Sequence, residues 1–224
     1  MSLRCYITDS SELSDGALFG EAIDMISADR RAKAMSYCFE KDRNLSVVAG
    51  LFFRAVETHY GVAIAADGDG KPQTDDPEVN FNVSHSGSMV VCAVSDVPVG
   101  IDIETVGGNL DVSRNVMTPH EHDIFMEMGD RENIFCRMWT VKESYMKALG
   151  KGLSIPPDSF DVIREGGLRH DGFPNGLKVK ELDPPEGYCV SVCSSNVDCG
   201  DLKAVSVRRL MDFVRSESKR TFCG

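Results

Sequence analysis

Two carboxylates, Asp102 and Glu104, interrupt the apolar run of Val99, Ile101 and Ile103. Residues two apart in a strand share a face, so the carboxylates meet on one surface while the valine and isoleucines fill the other. Side-by-side carboxylates repel, and a cation between them relieves the repulsion; oxygen ligands without thiolate or imidazole favour Mg²⁺. A solvated strand end accounts for the same pair equally well. A second group lies on a helix that the spacing predicts over Arg131 to Leu149. There Ile134, Met138, Val141, Tyr145 and Leu149 form an apolar stripe, and Trp139, Glu143 and Lys147 recur at i, i+4 and i+8. Alone, Glu143 and Lys147 are a surface ion pair worth about a few tenths of a kcal/mol. Proximity to Asp102 changes their meaning. The third group is Phe81-Asn82-Val83-Ser84-His85-Ser86-Gly87, a strand that ends in small polar residues. A hydroxyl, an imidazole N–H and backbone amides at a glycine turn are donors suited to phosphate, although a polar β-turn has the same composition.

Other matches fail. Asp67-x-Asp69 with Glu78 imitates a calcium loop, but Lys71 and Pro72 stand where a ligand and a glycine belong. Gly150-Lys151-Gly152 lacks the upstream glycine and the hydroxyl residue of a nucleotide phosphate loop and reads as a helix stop. His120 and His122, two apart, point to nearly opposite sides of a helix and read as solvated. The eight cysteines, at positions 5, 38, 92, 136, 189, 193, 199 and 223, contain no CxxC pair and read as reduced thiols.

The elements that must position these groups follow from periodicity. Leu3 to Thr8 reads as a strand, Ser27 to Lys33 as the start of a helix, and Asp42 to Tyr60 as a core-facing helix with Leu45, Val48, Phe52, Ala55, Val56 and Tyr60 in one stripe. Asp67 to Pro77 reads as a loop, followed by short strands at Val79–Val83, Met89–Ser95 and Val99–Glu104. Thr118 to Met128 opens on a Thr-Pro helix start. Phe160–Arg164, Leu177–Leu182, Tyr188–Cys193 and Ala204–Val207 supply later strands. The order predicts an α+β protein in two halves joined near Glu104 to Asn115, divided as 1–103 and 104–224.

Composition limits the function. With 224 residues, 42% hydrophobic and 26% charged, the chain is large enough for a real core. Its net charge of −11, acidic in both halves, provides no field for nucleic acid or an anionic membrane. An anionic ligand must therefore be held by a local cationic cluster. Met1 to Ser10 has no apolar leader core and no run is long enough for a membrane span, so the expectation is a cytoplasmic protein.

Phe81 to Glu104, FNVSHSGSMVVCAVSDVPVGIDIE, and Trp139 to Phe160, WTVKESYMKALGKGLSIPPDSF, together resemble the paired signature of the 4'-phosphopantetheinyl transferases of the Sfp type. Weaker similarity runs from Ile26 through Gly70-Lys71-Pro72 and fades beyond Phe160. The resemblance implies transfer of the phosphopantetheine arm of coenzyme A to a serine of an apo carrier protein, with Mg²⁺ required and adenosine 3',5'-bisphosphate released. The carrier would be of the fatty acid, polyketide or nonribosomal peptide type. It further implies that Asp102, Glu104 and Glu143 hold Mg²⁺ and that Glu143 takes the serine proton, directly or through water. Lys147 would lie against the transferring phosphate, Ser84 and His85 on phosphate oxygens with Lys71 close by, and Arg30 and Lys33 on the 3'-phosphate. An arginine of many members stands here as Ser46, with Arg43 one turn earlier as a substitute. Glu121 matches another acidic position near the site, where a helix N-terminal charge serves as explanation equally well. In this family such chains look like two fused copies of a smaller subunit, which implies a pseudo-twofold pair of lobes, each with helix packed on a mainly antiparallel sheet, an active site between them and a monomer. The rival is a non-catalytic protein that binds coenzyme A or a carrier; such a binder is expected to lose a metal carboxylate or Lys147, and all are present. Another Mg²⁺-dependent phosphotransferase would need a nucleotide phosphate loop that the sequence lacks.

Overall fold

The computed structural model describes residues 2–66, 71–108, 110, 113–150, 154–164 and 167–221. Strand β1 (Arg4–Asp9) leads through a 3-10 turn to helices α1 (Gly16–Met25), α2 (Ala28–Ser36) and α3 (Glu40–Tyr60). A small ribbon of β2 (Ile64–Ala66) and β3 (Pro72–Thr74) precedes β4 (Asn80–Ser86), β5 (Met89–Ser95) and β6 (Val99–Thr105). Helices α4 (Ser113–Val116), α5 (Pro119–Glu127) and α6 (Arg131–Ala148) follow, then β7 (Ile163–Arg164), β8 (Gly167–Leu168), β9 (Lys178–Leu182), β10 (Tyr188–Ser194) and β11 (Lys203–Ala204). Helix α7 (Val207–Thr221) comes last. Local chemistry sets the ends. Ser27 caps α2 by accepting from the Arg30 amide, Thr118 and Glu121 close a reciprocal capping box on α5, and Gly61, at φ 68°, stops α3 in the left-handed conformation.

Two sheets carry the site. One has the order β11-β1-β5-β4 and the other β6-β10-β9. Alternation sorts their side chains: Phe81, Val90, Cys92 and Val94 pack with α3, whereas Val91 and Ala93 join Ile101, Ile103, Val190 and Val192 in a core between the sheets. On the far side of the second sheet, α6 packs through Met138, Val141 and Tyr145 into a core with Val179 and Cys193. The layout of a long helix on an antiparallel sheet therefore occurs twice, as the α+β expectation requires. Gly100 makes the second instance tight. A Cβ there would overlap the Ser144 carbonyl oxygen and the Ala148 nitrogen, so only glycine lets α6 lie this close to β6.

Several expectations are corrected. Periodicity does not single out helix α1 or helix α7, and Val207, read as the end of a strand, begins α7. Its Val207, Leu210, Met211 and Val214 are buried at helical spacing in the core under α3. The strand expected at Phe160–Arg164 is limited to Ile163–Arg164. β11 pairs with β1 in parallel, whereas the other strand pairs among the described residues are antiparallel, and α7 lies against α3. The chain from Lys203 onward thus returns to the elements that precede Ile103, because the open edge of β1 and the apolar side of α3 both need cover. Asp67, Asp69, Gly70, Lys151, Gly152 and Cys223 lie outside the described residues. The other seven cysteines are free, and Cys189, Cys193 and Cys199 do not gather: Cys189 adjoins Cys136, Cys199 adjoins Cys5, and Cys193 is in the α6 core. Among the described residues, no helix is long and apolar enough to cross a membrane.

Candidate active site

The site forms where β4, the edge of one sheet, runs beside β6, the edge of the other. No backbone ladder joins them. Instead the even-numbered residues of β4 reach across: Asn82 Oδ1 accepts from the Ile101 amide at 2.9 Å, and Ser84 Oγ donates to Asp102 Oδ1 at 2.7 Å. Ser86 Oγ donates to Glu104 Oε2 at 2.9 Å and accepts from the Thr105 amide at 3.2 Å. Sequence reasoning singles out Ser84 and misses Asn82 and Ser86, although the same alternation places all three on one face. Gly87, at φ 61°, turns the chain after β4, and a Cβ there would strike the Tyr188 hydroxyl.

Helix α6 supplies the rest. Because Gly100 admits it closely, Lys147 Nζ stands 2.5 Å from Asp102 Oδ1, 2.9 Å from Ser84 Oγ and 3.8 Å from Glu143 Oε2. Asp102 is 2% exposed. Burial raises the pKa of Glu104, reinforced by Asp102, and burial likewise raises that of Glu143. Three carboxylates thus share a desolvated corner with one ammonium. Lys71 Nζ donates to the Lys147 carbonyl at 2.8 Å, so it reaches the C-terminal turn of α6.

The odd-numbered residues of β4 face the other way. Val83 and His85 line a cavity of about 200 Å³ with Arg30 and Lys33 of α2, and with Asp42, Ser46 and Phe53 of α3. Arg30 Nη2 donates to the Ser46 carbonyl at 3.1 Å and its guanidinium lies 4.8 Å from the Phe53 ring centroid. Its Nε is buried without a partner, and so is Ser46 Oγ. Burial lowers the pKa of Arg30; burial, then Lys147, lowers that of His85, so its imidazole is neutral near pH 7. A cationic pocket with an unsatisfied donor suits an anionic oxygen. Arg43 is engaged elsewhere: its Nε and Nη2 donate to the carbonyls of Tyr37 and Cys38 at 2.9 and 2.8 Å.

Glu121 serves the N-terminus of α5 through the capping box, and it is also the centre of a buried network. It and Lys142 are both fully buried, joined at 2.6 Å. The Glu121 carboxylate also accepts from the amides of Thr118, Val162 and Ile163, which fills its acceptor sites. Lys142 Nζ donates in addition to the carbonyls of Pro157 and Phe160 at 2.6 and 2.8 Å. This knot fastens α5 and the 157–163 segment to the back of the helix that carries Glu143 and Lys147. His120 is exposed, 3.8 Å from Asp161.

Whether the corner suits a divalent cation can be judged from its donors. Asp102 Oδ2 is buried with no hydrogen-bond partner, and the neighbouring carboxylates are oxygen ligands under mutual repulsion. Such a set fits Mg²⁺. Among the described residues no group of three or more His, Cys, Asp or Glu side chains is drawn together into a metal cluster. The cation seated between Asp102 and Glu143 is the Lys147 ammonium.

Known proteins are similar to this chain. Residues 98–193 match the model of the 4'-phosphopantetheinyl transferase superfamily, and residues 15–97 that of the 4'-phosphopantetheinyl transferase N-terminal region. A 4'-phosphopantetheinyl transferase of Bacillus subtilis is 32% identical over 190 residues, 79% of this chain and 85% of that protein. The 4'-phosphopantetheinyl transferase Sfp of Bacillus subtilis strain 168 is 30% identical over 206 residues, 84% and 91% of the two chains. The crystal structure of Thermotoga maritima holo-[acyl-carrier-protein] synthase matches with a TM-score of 0.37 at 23% identity, covering 43% of this chain and 61% of that one. The chain belongs to the 4'-phosphopantetheinyl transferase superfamily, as an enzyme of the Sfp type.

Proposed function

We propose that this enzyme transfers the 4'-phosphopantetheine group of coenzyme A to a serine of an apo acyl or peptidyl carrier protein and releases adenosine 3',5'-bisphosphate. The observation that carries the reading is the juxtaposition across β4: a carboxylate corner with Lys147 on one face and a cationic cavity with Arg30 on the other. Arg30 and Lys33 bind the 3'-phosphate, with Ser46 Oγ as a further donor. His85 and Ser84 bind phosphate oxygens, and Lys71 stands near them at the end of α6. Asp102, Glu104 and Glu143 are the residues that would hold Mg²⁺, which when bound supplies neutralisation of the pyrophosphate charge. Glu143 takes the proton of the attacking serine, directly or through water, as that oxygen bonds to the transferring phosphorus and the bond to the departing phosphate oxygen breaks. Lys147 stabilises the negative charge that develops in the transfer.

The two walls of the cleft come from one chain, β4 lying within 1–103 and α6 within 104–224 with β6 spanning the junction, and the tail from Lys203 buttresses the sheet of β4; a monomer therefore suffices for catalysis. Free cysteines suit the reducing cytosol as its place of work. The test is mass spectrometry of apo carriers of the fatty acid, polyketide and nonribosomal peptide types after incubation with coenzyme A and Mg²⁺. At least one should gain the phosphopantetheine mass, and exhaustive chelation should abolish the gain. Glu143→Gln should lower turnover about a hundredfold or more with folding unchanged. Near-normal transfer by that variant would overturn the mechanism, and binding of coenzyme A without transfer to any carrier would favour the non-catalytic binder.

A further inference from the structure

A second and larger cavity, of about 540 Å³, lies under the C-terminal half of α3, whereas the cationic cavity of the candidate site lies at its N-terminal half. Its walls are apolar: Phe52 and Val56 of α3, Val94 of β5, and Leu210 and Phe213 of α7. One side is braced by His59, which bonds to Glu217 at 3.0 Å and lies against Tyr60 and Phe213. That volume falls within the range of about 300–1,000 Å³ typical of small-molecule sites.

Three cations line the same cavity: Arg4 on β1, Lys203 on β11 and Arg209 on α7. Among the described residues none of the three has a carboxylate partner, whereas nearby Arg215 is paired with Glu21 and Asp212. In a chain of net charge −11, a lining with three uncompensated cations and no free carboxylate has a definite polarity. We propose that this cavity binds an amphipathic anion, a carboxylate or phosphate monoester on an apolar chain. The head pairs with Arg4, Lys203 and Arg209, and the chain enters between α3 and α7. Neither feature alone requires this: apolar walls accept any hydrophobe, and exposed cations attract any anion. Together they select a ligand with both parts.

Calorimetry on the full chain tests it, with octanoate, decanoate, dodecanoate, decyl phosphate, decanol and inorganic phosphate as probes below their micelle concentrations. Affinity should tighten about fourfold per methylene along the carboxylates, equivalent to about 0.8 kcal/mol. Decanol should bind at least about tenfold more weakly than decanoate, since it lacks the charge. Whichever of decanoate and decyl phosphate binds more tightly identifies the head. The charge-reversed Lys203→Glu/Arg209→Glu pair, at exposed positions, should weaken decanoate about tenfold or more and leave decanol unchanged. Ala55→Phe, which fills the cavity, should flatten the chain-length series. A flat series in the wild-type protein, equal decanoate binding by the charge-reversed pair, or inorganic phosphate binding as tightly as decanoate would each overturn the proposal.

Discussion

Replacing Lys142 with methionine isolates the cost of an uncompensated charge in this fold. The substitution keeps the length of the stem but removes an ammonium that serves Glu121, Pro157 and Phe160 at 2.6, 2.6 and 2.8 Å. What remains is a fully buried carboxylate whose donors among the described residues are backbone amides, beside two carbonyls that lose a partner. Removing one member of a buried pair costs about 3–5 kcal/mol, and burial already lowers the pKa of Lys142 despite the attraction of Glu121. A loss of about 4 kcal/mol corresponds to a fall of about 8–16 °C in Tm for a chain of this size. The assay is urea unfolding followed by circular dichroism, with an unchanged m value as the condition for reading the shift as stability. The Glu121→Gln/Lys142→Met pair should lose at least about 1 kcal/mol less than the sum of the two single changes, because it leaves no orphaned charge. A Lys142→Met variant within about 1 kcal/mol of wild type, or strict additivity, would refute the claim that this pair fastens α5 to α6.

Lys147→Met should lower turnover by an order of magnitude or more with little change in coenzyme A affinity, since its ammonium acts on charge that develops during transfer; equal losses in binding and turnover would assign it to ground-state binding. Arg30→Ala and Lys33→Ala should weaken coenzyme A more than dephospho-coenzyme A, by about 1–3 kcal/mol for each well-shielded charged hydrogen bond removed, as measured by calorimetry. Glu181 accepts from Arg137 at 2.6 and 2.9 Å and meets His170 at 2.8 Å; burial opposes the effect, but these partners hold its carboxyl below the usual 4.5. The unfolded chain therefore binds the proton more readily, so this contribution is full above about pH 4.5 and fades as pH falls toward the folded value. Glu181→Gln should flatten the acid limb of the stability profile, and an unaltered limb would show that the triad contributes nothing.

Periodicity is a good guide wherever an element is long and its partners are near in sequence. Strict alternation places Asp102 and Glu104 on one face and the isoleucines on the other, and the structure has Ile101 and Ile103 fully buried opposite them. The same rule groups Asn82, Ser84 and Ser86, but a serine carries no charge to attract notice. Lys142 illustrates the opposite difficulty. Its neighbours in sequence, Val141 and Glu143, suggest an ordinary helix flank, and only the segment at 157–163, folded over the helix, buries it. β11 is hidden for a related reason: two residues make a strand only because β1, almost the whole chain away, offers its edge. Helix α7 is legible in principle, from Val207, Leu210, Met211 and Val214, but the preceding alternation at Ala204–Val207 obscures its start.

The parallel pairing of Tyr6 and Ile7 with Lys203 and Ala204 has a consequence for the order in which the protein can be made. Strand β1 keeps one edge open until Lys203 and Ala204, nearly two hundred residues later, have been synthesised. Throughout that interval β1 has β5 as its neighbour on one side only, and the flank of α3 that receives Leu210, Met211 and Val214 stays bare. An open strand edge beside uncovered apolar surface invites pairing with another nascent chain. Closure by such distant residues is also slow, since the loop entropy must be overcome before the strands can pair. A chain interrupted before Lys203 would thus carry the complete carboxylate corner on a sheet without its last strand, and aggregation during expression would be its first symptom.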